Sequence, residues 1–496
     1  MFALALVFAA ALGAAPLAAA LALDARTVTT LEDGWTADGA AVRLPHTWNL
    51  LDATDGRDVP PRKSPLWNYS SGSPSYARRP VSYRRALPDP RPGRRVYIRC
   101  GGASMKSVVR VNGVEVGRHV GSFTAFAFEI TKALRPTGNE IEFVVDNAFD
   151  PDVQPINADF SVYGGIHRVP ELIETGEVCI DPTRTPVVRA DPKTGHVDVD
   201  VPVAGGVDVV QSFDFPGCEL WSPENPRLYP VALRVGGDEV VVNVGFRTME
   251  FREDGFYLNG AKRKLRGVCR HQDRAGKGWG ASAADEAEDI RWIKLVGADA
   301  VRTAHYPQSE TFLDLCDRSG LIVWEELPNV NGLTFTPQAE ANERMMAREM
   351  VEQHRNHPCI FAWGLFNELY NKPMPEGAAE PRMKALAEYV KSLDPTRPTI
   401  GASCRNWLVD LNRMTDTTTE LATVLAFSND GDVELFVNGR SFGRKSPDDA
   451  KGVLWEGVRL RPGENEIEVV STRFREFAHW RLHAGADTVR GGLGAD

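Results

Sequence analysis

The chain is 496 residues long, with 43% apolar and 25% charged residues and a formal net charge of −10. That length exceeds one ordinary domain, and the composition is that of packed globular proteins rather than of disordered or fibrous ones. A net negative chain without a basic stripe argues against nucleic-acid binding, because phosphate binding needs clustered Lys and Arg. Small molecules and neutral polymers fit better as partners.

The chain opens with "MFALALVFAAALGAAPLAAALALD", an Ala-rich apolar run that reaches small residues at Ala20 and Ala22. Residues 1–22 read as a secretory signal peptide, with a secreted or periplasmic location as the consequence; a membrane anchor is the competing reading. No later apolar run reaches the roughly 18 residues that a bilayer span requires. The seven cysteines, Cys100, Cys179, Cys218, Cys269, Cys316, Cys359 and Cys404, lie far apart and include no CxxC pair. They are expected to be small buried hydrophobes rather than a disulfide framework or a zinc site. Asn68-Tyr-Ser70 is a glycosylation triplet, a pattern too short to carry weight alone.

From about 25 to 250, short alternating runs are punctuated by Gly, Pro and Asn-Gly, as in "SVVRVNGVEVG" and "NEIEFVVDN". This spacing predicts antiparallel sandwiches with hairpin turns. From about 251 short apolar strands alternate with longer helical segments, which predicts parallel βα units. The strands fall at 264–268, 300–303, 321–324, 360–366 and 398–402. After about 421 the all-β pattern returns with "VLAFSNDGDVELFVNGRSFG". An internal echo joins the two all-β regions: Asn112-Gly113 precedes "NEIEFVV" at Asn139 by 27 positions, and Asn438-Gly439 precedes "NEIEVV" at Asn465 by 27 positions.

Polar residues cluster just past the predicted parallel strands: Arg270, His271 and Asp273, then Arg302 and His305, then Glu325 and Glu326, then Asn367 and Glu368. In a parallel barrel such positions converge on one mouth, where chemistry takes place. Asn367 and Glu368 end the apolar stretch "FAWGLF". A carboxyl can move a proton there, while the neighbouring amide can hydrogen-bond a hydroxyl. Glu325 and Glu326 admit two readings: one binds substrate or holds a cation through water, or the acidic pair positions His305 or Arg302. Metal ligation by His271 and His305 lacks a close ligand spacing. His354 and His357, three apart near a helix end, read as helix-terminal contacts. Trp279, Trp324 and Trp363 form either a stacking face for a ligand or barrel core.

These residues carry a resemblance to family 2 glycoside hydrolases, the β-galactosidase and β-glucuronidase group. "LPHTWN" at 44–49 and "DFSVYGGIHR" at 159–168 resemble the opening and closing motifs of the family's first sandwich, and "LWSPENPRLY" with "VGFRTMEF" resembles its second, immunoglobulin-like domain. "LNGAKRKLRGVCRHQD", "GADAVRTAHYP", "CDRSGLIVWEELP" and "HPCIFAWGLFNE" resemble consecutive barrel motifs. Where the common motif has Asn-Ala, this chain has Asp299-Ala300.

The resemblance implies a multidomain chain. A sugar-binding-like jelly-roll sandwich would occupy 24–170, a short immunoglobulin-like sandwich 171–250, a (β/α)8 TIM-barrel catalytic domain 251–420 and an immunoglobulin-like accessory sandwich 421–496. It implies a retaining exo-β-glycosidase acting on a terminal β-linked sugar, most simply galactose. Glu368 would be the acid/base, with Asn367 on the sugar 2-hydroxyl. His271, His305, Arg302 and Glu326 would line the sugar pocket, and Asp159 would reach in from the first domain. It admits a divalent cation such as magnesium and a homo-oligomer.

Retaining glycosidases need two carboxyl groups about 5–5.5 Å apart. In the resembled family the nucleophile follows the Asn-Glu motif, on a late barrel strand, in a Glu-Tyr-Gly type motif that this chain lacks. Only five βα units can be drawn before Ser403, and 404–423 leaves 20 positions before the last sandwich. One βαβ unit alone takes about 30 residues. The barrel is therefore expected to be incomplete and the nucleophile absent; Asp410, Asp416 and Glu420 lie in what reads as a polar linker. The alternative to an active hydrolase is a catalytically inactive carbohydrate-binding relative, or an incomplete gene product.

Overall fold

The computed structural model describes residues 25–50, 78–156, 158, 160–252, 255–369, 378–402, 421–427, 431–447, 452–472 and 475–482. The chain divides into two compact units, Met1–Asn367 with Asn371–Ala402, and Glu368–Tyr370 with Ser403–Asp496. The signal-peptide reading of 1–22, the triplet at Asn68 and the carboxylates Asp410, Asp416 and Glu420 lie outside the described residues.

The first unit begins with two antiparallel sheets. One has four strands in the order Thr27–Thr30, Gly165–Thr175, Arg95–Ser104, Phe126–Glu129; the other has six, including Trp35–Ala37, Pro80–Ala86, Glu140–Asp146 and Lys106–Val111. Glu140–Asp146 shows why the sheets meet. Its alternate residues Ile141, Phe143 and Val145 are all buried on one face. They join Trp35, Tyr83 and Val109 of the same sheet and Ile98 and Ile166 of the other in one core.

The 27-residue echo has a contact behind it. Asn112 Nδ2 donates to Asn139 Oδ1 at 2.8 Å, and in the second unit Asn438 Nδ2 donates to Asn465 Oδ1 at 2.8 Å. Asn139 Oδ1 also accepts from Arg135 N at 2.7 Å, and Asn465 Oδ1 from Arg461 N at 2.8 Å. Asn112 and Asn438 have φ of 53° and 52°, the left-handed backbone that Asn tolerates best after Gly in a two-residue hairpin. The spacing is thus the distance in sequence between a hairpin tip and the turn it locks.

Next come three small sheets between Cys179 and Val244, which share a core of Ile180, Val197, Val199, Val201, Val231, Leu233, Val244 and Phe246. An antiparallel meander, Met249–Arg252, Gly255–Leu258 and Ala261–Arg263, leads into a parallel sheet.

That sheet has five strands in sequential order, β1 Gly267–Arg270, β2 Ala300–Thr303, β3 Ile322–Glu326, β4 Ile360–Asn367 and β5 Thr399–Ala402, each pair parallel. Helices α1 Ala283–Leu295, α2 Glu310–Ser319, α3 Pro337–His354 and α4 Ala379–Leu393 connect them. The helix starts are written in the sequence. Ser282 and Asp285 form a reciprocal capping box on α1, Ser309 caps α2, and Thr336 with Pro337 opens α3. Gly320 ends α2 at φ 63°, and a Cβ there would come within 2.6 Å of Pro223, so the sharp return to β3 requires glycine.

β4 is buried along almost its whole length, as a parallel strand covered on both faces must be. The outer strands β1 and β5 are more exposed. β1 starts later than the sequence pattern suggests, at Gly267 rather than 264, because Ala261–Arg263 pairs backwards with Gly255–Leu258 and Arg266 N is held by Asp299 Oδ1 at 2.7 Å. The same edge position corrects the cysteine expectation. Cys100, Cys179, Cys316 and Cys359 are buried and Cys218 partly so, but Cys269, on a strand paired on one side only, is exposed.

In the second unit a two-stranded sheet, Leu421–Phe427 with Gly452–Arg459, and a four-stranded sheet enclose Val424, Leu435, Val437, Trp455, Ile467 and Trp480. Among the described residues no helix is long and apolar enough to cross a membrane.

Candidate active site

The ends of β2, β3 and β4 bring four of the candidate residues together. Glu326, fully buried at the end of β3, accepts from Arg302 Nε at 2.9 Å and Arg302 Nη2 at 3.1 Å. His305 Nδ1 lies 2.5 Å from its other side, on Oε1. Arg302 Nη2 also donates to Asn367 Oδ1 at 2.8 Å, and its guanidinium lies 4.6 Å over the Trp324 ring. Arginine can only donate. The Asn367 atom facing it is therefore the oxygen, and the amide N–H2 is left to donate elsewhere.

Glu325 and Glu326 are adjacent, and the pleat sends them to opposite sides of the sheet. Glu325, also fully buried, points to the helix layer, where it accepts from Gln308 N at 2.9 Å and His354 Nδ1 at 3.0 Å. Of the two open readings for this pair, the positioning one describes the contacts of Glu326. His354 and His357 are buried partners of carboxylates: His357 spans Asp317 at 2.6 Å and Glu310 at 3.3 Å. Burial alone would depress the His357 imidazole, but the Asp317 carboxylate, helped by Glu310, raises it well above its ordinary value. Asp317, His357 and Cys359 have ligand-type atoms within 4.8 Å of one another. Both His357 nitrogens are engaged by carboxylates and Asp317 Oδ1 accepts from Cys359 N, so the group is held as an ion pair whose imidazole has no nitrogen left for a metal.

A divalent cation does not fit Glu325 and Glu326 either. Glu326 is held by a guanidinium and an imidazole, and the oxygens of Glu325 by an amide and a second imidazole. A metal would have to displace these donors and sit beside Arg302.

Aromatic rings wall the mouth. Phe160, from the first sandwich, packs 5.6 Å from His271, 6.3 Å from His305 and 5.3 Å from Tyr306, while His271 meets His305 edge-on at 5.2 Å. His271 itself is exposed. Asp159, the neighbour of Phe160, lies outside the described residues. Trp279 and Tyr306, both buried, donate to the same oxygen of Asp273, Oδ1, at 3.0 Å and 3.2 Å. Of the three tryptophans considered as a stacking face, Trp363 is core, fully buried with its N–H on Asp394, and Trp279 is buried among Phe123, Phe160, Tyr163 and Tyr306. Trp324 is covered on one face by Arg302.

Glu368 follows Asn367 directly. It is half-buried and its backbone sits at φ 52°, a conformation that costs a non-glycine residue about 1–2 kcal/mol. A cavity of about 890 Å³ lies apart from this cluster, lined by His46, Trp48, Arg168, Lys277 and the first turns of α1 and α2; none of His271, Arg302, His305, Glu326 and Asn367 lines it.

The Phe160 wedge and the Arg302–Asn367 link were not read from the sequence. A usable signal was the "RTAHYP" run, in which Arg302, His305 and Tyr306 all serve this one cluster.

A multidomain, mainly β chain whose parallel strands gather His, Arg, Glu and Asn at their ends defines a barrel hydrolase class, and the comparisons make it specific. The profile "Glycosyl hydrolases family 2, TIM barrel domain" matches residues 249–421, "Glycosyl hydrolases family 2" matches 180–247, and a domain of unknown function, DUF4982, matches 420–474. The chain belongs to glycoside hydrolase family 2. A "Putative beta-glucuronidase" of Formosa agariphila is 33% identical over 406 residues, covering 73% of this chain and 47% of that protein. A "Beta-galactosidase" of Thermoanaerobacter pseudethanolicus is 31% identical over 369 residues, covering 65% and 48%. The chain thus spans about half the length of these relatives. The crystal structure of a putative β-galactosidase from Bacteroides fragilis superposes with a TM-score of 0.69 at 23% identity, covering 92% of this chain and 98% of that one, a likeness of fold.

Proposed function

We propose that the ends of β2–β4 form the glycone pocket of a retaining exo-β-glycosidase that takes terminal β-linked sugars, most simply galactose. One observation carries the reading: Arg302 bridges Glu326 and the Asn367 oxygen, which leaves the Asn367 amide as a fixed donor beside Glu368 in sequence. In this reading Asn367 donates to a sugar hydroxyl, Glu368 is the acid/base, and His271, His305 and Asp159 border the sugar. The domain limits 24–170, 171–250, 251–420 and 421–496 and a secreted or periplasmic location after removal of 1–22 belong to the same proposal.

A second reading concerns this chain rather than its lineage. The described parallel sheet has five strands, with exposed outer members, and only 20 positions lie in 404–423. A complete eightfold barrel takes at least about 200 residues. The chain would then hold the sugar without a nucleophile to cleave it.

Chromogenic β-galactoside and β-glucuronide decide between the two. Turnover that survives purification and disappears in Glu368→Gln supports the hydrolase. Binding without turnover supports the incomplete barrel, and absence of both defeats the pocket.

A further inference from the structure

Arg168 stands in the first sandwich, on the strand Gly165–Thr175, and its side chain reaches across to the barrel. Nη1 stays within the sandwich, donating to the carbonyls of Gly101 at 3.3 Å and of Phe123. Nη2 serves two barrel loops at once: it donates to Pro307 O at 2.8 Å, in the loop after β2, and to Gln272 Oε1 at 3.4 Å, in the loop after β1. Gln272 directly follows His271, and Pro307 stands two positions past His305. The loops that carry the two mouth histidines therefore share one guanidinium nitrogen.

Further contacts close this hold. Gln272 N donates to the Tyr306 hydroxyl oxygen at 3.2 Å, so the first loop also rests on the residue between His305 and Pro307. The ring of Phe123, whose carbonyl anchors Nη1, stacks on Tyr306 with centroids 4.3 Å apart and planes 8° from parallel. Among the described residues Arg168 makes no salt bridge: Glu286, Glu325 and Glu310 favour its charge only through space, and its four acceptors are all neutral oxygens. An ion pair needs only a point charge, whereas a flat fork of N–H groups can fix several carbonyls relative to one another.

We infer that Arg168 is a positioning residue of the mouth: through Gln272 and Pro307 it sets the spacing of His271 and His305, the two rings that border the sugar. This rests on the carbohydrate-pocket reading above. The two rings meet edge-on at 5.2 Å, and Phe160, from the same sandwich as Arg168, packs 5.6 Å and 6.3 Å from them. A slip of either loop would open this three-ring wall, and a misplacement of about 1 Å is enough to weaken such a constellation. The sandwich thus gauges a pocket that the barrel strands carry.

The test uses the full-length chain with ring-labelled histidine, read by NMR, and calorimetric titration with methyl 1-thio-β-D-galactopyranoside. His271→Gln and His305→Gln assign the two resonances. Arg168→Lys keeps the charge and loses the planar fork, while Gln272→Met keeps the side-chain length and removes only the acceptor in the first loop. In Arg168→Lys both resonances should move while those of His119 and His196 stay, and the thiogalactoside should bind about five- to tenfold more weakly, roughly one hydrogen bond's worth. Gln272→Met should move His271 more than His305, with about a two- to fivefold loss of affinity; it decides the matter alone if Arg168→Lys does not fold. Resonances that stay in place, a shift shared by all the histidines, or a shift without loss of affinity each overturn the assignment to Arg168 while leaving a carbohydrate pocket. If the wild-type chain does not bind the thiogalactoside, the pocket reading falls and the role in sugar binding with it, whereas the resonances still report whether Arg168 sets the two rings.

Discussion

Replacing Glu326 by Gln should destabilise the barrel more than any other isosteric change at the mouth. The carboxylate is fully buried and takes three hydrogen bonds from Arg302 and His305. A glutamine oxygen can keep part of this, but its amide nitrogen presents a donor to donors, and the Arg302 charge loses its anion. Removing one partner of a buried pair costs about 3–5 kcal/mol. The Arg302 side chain retains 17% exposure, so water recovers part of the loss, and about 3 kcal/mol is the appropriate figure. At about 2–4 °C per kcal/mol the melting midpoint should fall by about 6–12 °C. Fluorescence-monitored thermal unfolding gives the shift, and hydrogen exchange of peptides covering β2–β4 assigns it to the sheet. A fall below about 2 °C, on the same scale, would show that Arg302 and His305 do not depend on this charge, and the account of the mouth would be wrong.

The pair of His357 and Asp317 carries a pH signature. The folded imidazole titrates well above its unfolded value of about 6.5, so its contribution is complete below that pH and is lost as pH rises towards the folded pKa. The stability advantage of the wild-type chain over His357→Gln, read as urea midpoints, should therefore be larger at pH 6 than at pH 8. Asn465→Ala removes the Asn438 contact and the bonds to Arg461 N, Arg461 O and Gly463 O, which at about 1 kcal/mol each should cost about 2–4 kcal/mol. Urea unfolding of the second unit measures it, and a neutral outcome would mean that the shared spacing has no structural cause. In native thiol labelling with iodoacetamide, Cys269 should react first of the six described cysteines, while Cys316 and Cys359 should wait for unfolding.

Much of the architecture could be read from the chain because local chemistry and burial agree. "FAWGLF" is a strand without alternation because both its faces are covered, and the caps Ser282, Ser309 and Thr336 stand where the helices begin. The repeated Asn-Gly spacing was visible, though its reason, an amide pair, was not. The mouth was only partly legible. Glu325 and Glu326 look equivalent in sequence, and only the pleat assigns one to His354 in the helix layer and the other to Arg302 and His305. Arg302 and Asn367 are 65 residues apart, and Phe160 arrives from another sheet system altogether. Such contacts depend on register and packing, which no local pattern encodes. That Glu325 and Glu326 have no room for the divalent cation the family resemblance admits was equally hidden, since their donors come from β2, the loop after it and α3.

The grip of Arg302 on the Asn367 oxygen also gives this amide a polarity of its own. An asparagine free to rotate about its terminal bond reads a donor and an acceptor with equal ease. Here the acceptor half is already spoken for, so the side chain behaves as a one-way reader. A hydroxyl oxygen or a carbonyl satisfies it, whereas a protonated amine at the same place would find two N–H groups facing its own.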